Sequence, residues 1–140
     1  MGLILDSSVL IAAERKGRNA RQALGEIAQR AAGEDVALSV VTLIELAHGA
    51  ARADSPERKA MRRQFLNELT AAVPVHPVTV ALALRAGQID GENTAKGVRL
   101  ALVDLLIGVT ALELGYRVAT GNLRHFQMVP GLETRLLLSV

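Results

Sequence analysis

Short apolar segments alternate along this chain with longer segments of helical composition. The predicted strands are 3–5, 36–39, 73–76, 116–120 and 134–138. The predicted helices are 9–14, 19–32, 40–52, 56–72, 78–89 and 99–115. Short strands separated by helices are typical of a parallel sheet that is covered on both faces. The pattern therefore predicts a three-layer α/β fold with a short central parallel sheet of about four or five strands.

Several helix boundaries are predicted from local signals. Ser39 and the Ser55-Pro56 pair mark helix starts, because Ser is a good N-cap and Pro suits the first helical turn. Asp90-Gly91 is expected to end a helix, with a polar linker over 92–98. Pro74 and Pro77 indicate that the third strand is short or lies at an edge.

Composition narrows the class of protein. The 140 residues predict a single domain over 1–140, and a hydrophobic content of 50% excludes a disordered chain. The scarcity of aromatic residues argues against stacking of bases on aromatic platforms. A net charge of +2 is compatible with a polyanionic partner without establishing one. The lack of cysteine excludes disulfides, thiolate zinc sites and cysteine nucleophiles.

The amino-terminal segment does not resemble a signal peptide, because it lacks a basic region and Asp6 interrupts its apolar run. No uninterrupted apolar run approaches the roughly 18 residues of a membrane span. We therefore expect no membrane association and a cytoplasmic location, with which the absence of cysteine is compatible.

Isolated acidic residues fall at related places in this outline. Asp6 follows the first strand, Glu45 lies within two turns of the second strand, Asp104 stands near the start of an apolar helix, and Asn122 follows the fourth strand. Parallel connectivity brings these positions to one edge of the sheet, where ligands bind in such folds. Each also has a simpler interpretation: Asp6 and Asp104 as helix caps, Glu45 as a solvent-exposed side chain, and Asn122 as a turn former.

Clustered carboxylates repel one another, and a divalent cation removes that repulsion. Three carboxylates and a carboxamide, with no cysteine, form an all-oxygen set that favours Mg²⁺ or Mn²⁺ over zinc. The chemistry expected of such a site is attack on a phosphodiester by metal-activated water.

The sequence resembles a known family, the PIN-domain ribonucleases, and in particular the VapC-type toxins of bacterial type II toxin–antitoxin pairs. The matching segments occur in the family's order and extend over nearly the whole chain. They are Ile4–Leu10, Ser39–Gly49, Asp104–Ala111 and Ala119–Phe126, followed by Pro130–Leu132.

The resemblance implies roles for individual residues. Asp6, Glu45 and Asp104 match the family's catalytic, metal-binding acids, and Ser8 and Thr120 match short polar side chains that support them. Asn122 stands where many relatives have a fourth Asp, which implies a weaker metal ligand. The resemblance further implies an endoribonuclease that cleaves structured RNA with Mg²⁺, or with Mn²⁺ in its place. A homodimer and a cognate antitoxin that blocks the site are also implied.

Rival enzyme interpretations lack residues that they require. A haloacid-dehalogenase phosphatase needs a second Asp two residues after the first, where this chain has Ser8. A response-regulator receiver needs an acidic pair after strand one, and a phosphoacceptor Asp after strand three, which ends at His76-Pro77. A catalytically weak or inactive PIN-like module that binds RNA or a protein partner is the remaining alternative.

Basic residues have less specific interpretations. Arg124 and His125, after the fourth strand, are candidates for contact with RNA phosphate, whereas His48 is expected to face solvent. The helix over 56–72 carries two i,i+4 basic pairs, Arg58 with Arg62 and Lys59 with Arg63. A solvated face is the usual reason for such pairs, and a track for a phosphate backbone is the alternative.

Overall fold

A computed structural model describes residues 1–137 of the protein. The strands are β1 (Gly2–Leu5), β2 (Asp35–Ser39), β3 (Val75–His76), β4 (Arg117–Thr120) and β5 (Thr134–Leu136). The helices are α1 (Ser7–Arg15), α2 (Ala20–Ala31), α3 (Val40–Ala51), α4 (Pro56–Ala72), α5 (Val80–Ala95) and α6 (Leu102–Leu114). A short 3₁₀ helix, Leu123–His125, follows β4.

The five strands form one sheet in the order β3-β2-β1-β4-β5, and each neighbouring pair is parallel. The short strand β3 lies at an edge, as its flanking prolines predict. The strand order reverses at β1, which pairs with β2 on one side and β4 on the other. The predicted α/β fold with a parallel sheet of about five strands is confirmed.

Alternate residues of β1 bury against different helices. Leu3 and Leu5 belong to a core shared with α1, α2, α3 and α4, whereas Ile4 packs with residues of α6. A third cluster joins α5 to α6 on that second side. Since successive side chains of a strand point to opposite faces, the sheet is the middle of three layers.

Local capping explains several of the helix starts. The side chains of Ser39 and Ser55 accept hydrogen bonds from the backbone of Val41 and Arg58, so both predicted starts are confirmed. At the end of α6, Gly115 has a φ of +68°, a conformation in which glycine avoids the steric strain of a side chain.

The prediction that Asp90-Gly91 ends a helix is wrong, because α5 continues to Ala95. The extra turn is held by tertiary contacts, since Asn93 is buried and its Nδ2 donates to the Met128 carbonyl at 3.1 Å. Packing of this kind overrides the weak helix-breaking tendency of one glycine. The predicted linker is correspondingly shorter.

The prediction that the apolar helix begins near Arg99 is also wrong. Its first residue is Leu102, Ala101 is the N-cap, and Leu105 N donates to the Ala101 carbonyl at 3.0 Å. Most other boundaries agree with the predictions within two residues. The predicted strand end at Leu138 lies outside the described residues. Within residues 1–137 no helix combines the length and the apolarity needed to cross a bilayer.

Candidate active site

The candidate site lies at the carboxyl-terminal edge of the sheet, around the end of β1. Asp6 directly follows β1, and α3, which carries Glu45, begins where β2 ends. Asp104 stands in the first turn of α6, the helix that leads into β4. A helix that connects to the start of a strand begins near the opposite edge, so Asp104 reaches the same place as Asp6.

Asp6 is buried, with 4% of its surface exposed, and two hydroxyl groups hold it. Its Oδ2 accepts from Ser8 Oγ at 2.7 Å and from Thr120 Oγ1 at 2.8 Å. The same hydroxyls bind the next loop, since Gly121 N donates to Ser8 Oγ and Asn122 N donates to Thr120 Oγ1. The end of β1 and the end of β4 are thereby joined through one carboxylate.

Glu45 is only partly buried as a residue, yet one of its oxygens is enclosed. Among residues 1–137, no donor lies within hydrogen-bonding distance of its buried Oε1. Burial raises the pKa of Glu45, the Ser7 hydroxyl opposes that rise, and the charges of Asp6 and Asp104 add to it. One oxygen of Glu45 therefore remains an acceptor without a partner, although the Ser7 hydroxyl makes a hydrogen bond to the same side chain.

Asp104 is the third carboxylate, with 16% of its side chain exposed. Burial raises its pKa, His125 lowers it, and Asp6 raises it. His125 Nδ1 lies 3.4 Å from Asp104 Oδ2. The first turn of a helix also favours a negative charge, because backbone N–H groups point towards it.

Asn122 contacts His125. Its Nδ2 lies 2.9 Å from His125 Nε2, which is within hydrogen-bonding distance. The two nitrogens of the imidazole therefore face Asn122 on one side and Asp104 on the other. Arg124, in the same 3₁₀ helix, is exposed. The segment after β4 thus places an imidazole beside Asp104 and a carboxamide beside that imidazole.

Within residues 1–137, no three His, Cys, Asp or Glu side chains form a ready-made cluster for a metal ion. The charges of Asp6 and Asp104 are nevertheless close enough to raise the pKa of Glu45, and the charge of Asp6 raises the pKa of Asp104. The unpaired Glu45 Oε1 and the all-oxygen chemistry of the set fit a hard divalent cation such as Mg²⁺. The residues therefore suit such an ion, which would relieve their repulsion.

The chain matches the family model of the PIN domain over residues 3–132. It belongs to the PIN-domain family. Among curated relatives, the ribonuclease VapC10 of Mycobacterium tuberculosis is 36% identical over 126 residues, which are 90% of this chain and 86% of the relative. The tRNA(fMet)-specific endonuclease VapC of Salmonella typhimurium is 34% identical over 96 residues, or 68% of this chain and 70% of the relative.

A solved structure of DNA-bound VapBC from Salmonella typhimurium has the same fold. It is 27% identical, its TM-score is 0.76, and the match covers 97% of this chain and 98% of that one. These likenesses place the chain among the VapC-type members of the PIN-domain family, whose named relatives are nucleases.

The structure of the PIN-domain site shows whether Asp6 and Asp104 act as helix caps. Asp6 does occupy the N-cap position of α1, but its side chain makes no capping hydrogen bond and is taken up by Ser8 and Thr120. Asp104 is not a cap, since Ala101 holds that position. His48 is exposed, as expected.

Sequence reasoning missed Ser7 as a member of this PIN-domain site. It is buried, with 6% of its surface exposed, and acts on Glu45 from the first residue of α1. Its position between Asp6 and Ser8 was the available signal. That signal is weak, because adjacent residues at a strand-to-helix junction usually point in different directions.

Proposed function

We propose that this PIN domain is a divalent-metal-dependent endoribonuclease and the toxin of a toxin–antitoxin pair. The observation that carries the proposal is the convergence of Asp6, Glu45 and Asp104 at the edge around β1, with burial and mutual repulsion raising the pKa of Glu45 and Asp104. Acids arranged for stability alone are paired with cations or hydrogen-bond donors. Here the enclosed Glu45 Oε1 has no donor within residues 1–137.

In this proposal Asp6, Glu45 and Asp104 hold the cation, with Asn122 as a weaker ligand. A bound Mg²⁺ or Mn²⁺ supplies a nucleophilic water at neutral pH and neutralises charge on the phosphodiester. Ser8 and Thr120 orient Asp6 through the hydrogen bonds to its Oδ2. Orientation of this kind keeps a ligand oxygen in place while the substrate binds and leaves.

His125 has a supporting part in the same proposal. Its Nδ1 is 3.4 Å from Asp104, and its opposite nitrogen faces Asn122. It positions both side chains and, with the neighbouring Arg124, reaches solvent where RNA phosphates would pass. A single phosphate contact would fix the strand without selecting a base sequence.

The proposed partners are an RNA substrate, a cognate antitoxin and a second copy of the chain. The VapBC structure from Salmonella typhimurium, with its fold match, supports the antitoxin. Exposed apolar residues on α3, α5 and α6 support a homodimer, namely Ile44 (64% exposed), Val80 (79%), Leu84 (71%) and Leu102 (67%). The proposal includes a cytoplasmic location, where RNA is available as substrate. It also includes a single domain, which the family match over residues 3–132 supports.

Cleavage of a total-RNA pool with Mg²⁺ or Mn²⁺ tests the proposal. Asp104→Asn keeps the side chain's size and removes its charge, so we expect metal-dependent cleavage to fall by more than about 100-fold. Asp90→Asn, at an exposed acid of α5, is the matched control and should cleave normally.

The outcomes separate the proposal from its alternative. Equal cleavage by the native chain and Asp104→Asn would place the activity elsewhere. If neither cleaves and Mg²⁺ or Mn²⁺ adds no stability, the inactive module is favoured. If the site exists, a free metal concentration of 100 times the dissociation constant should instead stabilise the fold by about 2.7 kcal/mol.

A further inference from the structure

A groove leads away from the carboxylates between α1, α3 and α4. Its inner part is a cavity of about 150 Å³ whose walls include Glu45, Glu14 and Arg62. Its outer part is a cavity of about 290 Å³ whose walls include Arg58, and both parts share Glu14, Arg15 and Arg62. Because the two parts share walls, the groove extends from Glu45 of the candidate active site to the exposed side of α4.

Arg62 is fixed at the centre of this groove. Its Nε lies 3.2 Å from Glu14 Oε1, and its Nη1 donates to the Gly49 carbonyl at 2.8 Å. Only 34% of the side chain is exposed. Two anchors on different helices hold the guanidinium in the wall of the cavity that Glu45 also lines, so little further entropy is lost when an anion binds to it.

The two basic stripes of α4 differ in what they face. Arg58 and Arg62 line the groove, whereas Lys59 and Arg63 are exposed and lie outside both of its parts. One i,i+4 pair is therefore a solvated face, and the other borders a passage to the carboxylates. The sequence alone could not distinguish the two, because both have the same spacing and charge.

Basic side chains outnumber acidic ones around the outer part of the groove. Arg15, Arg58 and Arg62 border it with the acid Glu14, and Arg58 also pairs with the exposed Asp54 at 3.4 Å. Burial raises the pKa of Glu14, and Arg62 and Arg15 lower it. Glu14 thus occupies the guanidinium of Arg62 while the groove is empty of anions.

We propose that this groove is the track for the RNA backbone, and that Arg62 holds a phosphate close to the one that is cleaved. The inference rests on the proposed ribonuclease function, which requires a strand of phosphates to lie beside the carboxylates. An Arg guanidinium matches phosphate geometry with two parallel hydrogen bonds. Glu14 competes with that phosphate for Arg62, so it weakens RNA binding while it orders the empty groove.

The test measures binding of a short fluorescein-labelled single-stranded RNA by anisotropy, with Mg²⁺ and at several salt concentrations. All variants are made in the Asp104→Asn background so that the RNA stays intact. Arg62→Gln should lower the affinity roughly tenfold and reduce the salt slope by about one. Arg63→Gln, its exposed neighbour on α4, should change the affinity far less.

Glu14→Gln gives a prediction of opposite sign. It removes a negative charge beside the track and frees Arg62, so RNA affinity should rise roughly fivefold. If the Glu14–Arg62 pair only stabilises the fold, both variants lose the same ion pair and shift RNA affinity in the same direction. Thermal midpoints of both variants show whether folding accounts for any change.

Three results would overturn the inference. They are equal losses in Arg62→Gln and Arg63→Gln, a fall in RNA affinity with Glu14→Gln, and Arg62-dependent binding of a polyglutamate peptide with RNA affinity unchanged. The last result would assign the groove to an acidic protein partner. Opposite shifts in RNA affinity without cleavage by the native chain would sustain the groove and reject the ribonuclease. Cleavage by the native chain together with any of these three results would do the reverse.

Discussion

The two edges of the central sheet differ in how their partly buried charges are paired. At the amino-terminal edge, Glu34 precedes β2 and Arg117 begins β4. Arg117 Nη2 donates to both Glu34 oxygens at 2.6 and 2.7 Å, and Arg135 Nη1 lies 3.5 Å from Glu34. At the carboxyl-terminal edge, three acids converge, and His125 is the basic group that acts on two of them.

This difference separates charge that stabilises the fold from charge that is held for a ligand. Glu34 and Arg117 are each about three-quarters buried, and both Glu34 oxygens accept from Arg117 Nη2, although the buried Arg117 Nε has no hydrogen-bond partner within residues 1–137. Burial is the main cause that raises the pKa of Glu45 and Asp104, and the charges of neighbouring acids add to it, so their surroundings favour the protonated form. A protein retains such repulsion where a function requires it, and the function proposed here is binding of a cation.

The largest expected effect contrasts one acid from each edge. Glu45→Gln should reduce metal-dependent RNA cleavage by more than about 100-fold, because it removes the charge of a proposed metal ligand. Glu34→Gln should leave cleavage per folded molecule unchanged. Initial rates at saturating Mg²⁺ check the pair, and equal losses in both variants would erase the distinction between the two edges.

The hydroxyls around Asp6 should have a smaller effect on cleavage. Thr120→Val keeps the shape of the side chain but removes the donor to Asp6 Oδ2 and the acceptor for Asn122 N. We expect cleavage to fall about 10- to 100-fold, as for other residues that orient metal ligands. Thr120→Ser retains both hydrogen bonds and should restore most of the rate. Failure of this rescue would indicate that packing, not hydrogen bonding, is responsible.

Stability should respond at the other edge. Glu34→Gln leaves the partly buried Arg117 without its counter-charge, so the free energy of unfolding should fall by about 1–3 kcal/mol. Urea denaturation measures this change. Asp35→Asn, at the exposed neighbouring acid, is the control and should be nearly neutral. An unchanged stability in Glu34→Gln would show that the paired edge contributes little.

The pH dependence of the metal-free protein gives the finest test. A carboxyl whose pKa is raised on folding binds more protons in the folded state, so stability falls as the pH rises from the ordinary carboxyl range through the raised pKa. Burial raises the pKa of Glu45, of Asp104 and of Glu14. Unfolding in chelator should follow this trend, Glu45→Gln should flatten it, and added Mg²⁺ should restore stability at neutral pH.

Much of the site could be predicted from the sequence because it depends on chain direction. Asp6 directly follows a predicted strand, Glu45 and Asp104 each lie within two turns of a predicted helix start, and parallel connectivity brings those positions to one edge. The boundary of α5 could not be predicted, since Asn93 is held there by the carbonyl of Met128, 35 residues away.

The pairs that distinguish the two edges have no local signal. Glu34 and Arg117 are 83 residues apart, and neither is unusual in its own segment. The same holds for Arg62, which meets Glu14 from a different helix, and for His125, which faces Asp104. Side-chain contacts across the fold require the packing of helices on the sheet to be known.

The sequence by itself determined the alternation of strands and helices, the parallel sheet, and the edge at which the acids meet. These features follow from hydrophobic periodicity, capping and chain direction, which act over a few residues. Only the tertiary structure decided which charged side chains are paired with an opposite charge and which lie near like charges. It also decided which i,i+4 basic pair of α4 borders the groove. Charge interactions depend on distance and burial, and both arise when segments far apart in the sequence pack together.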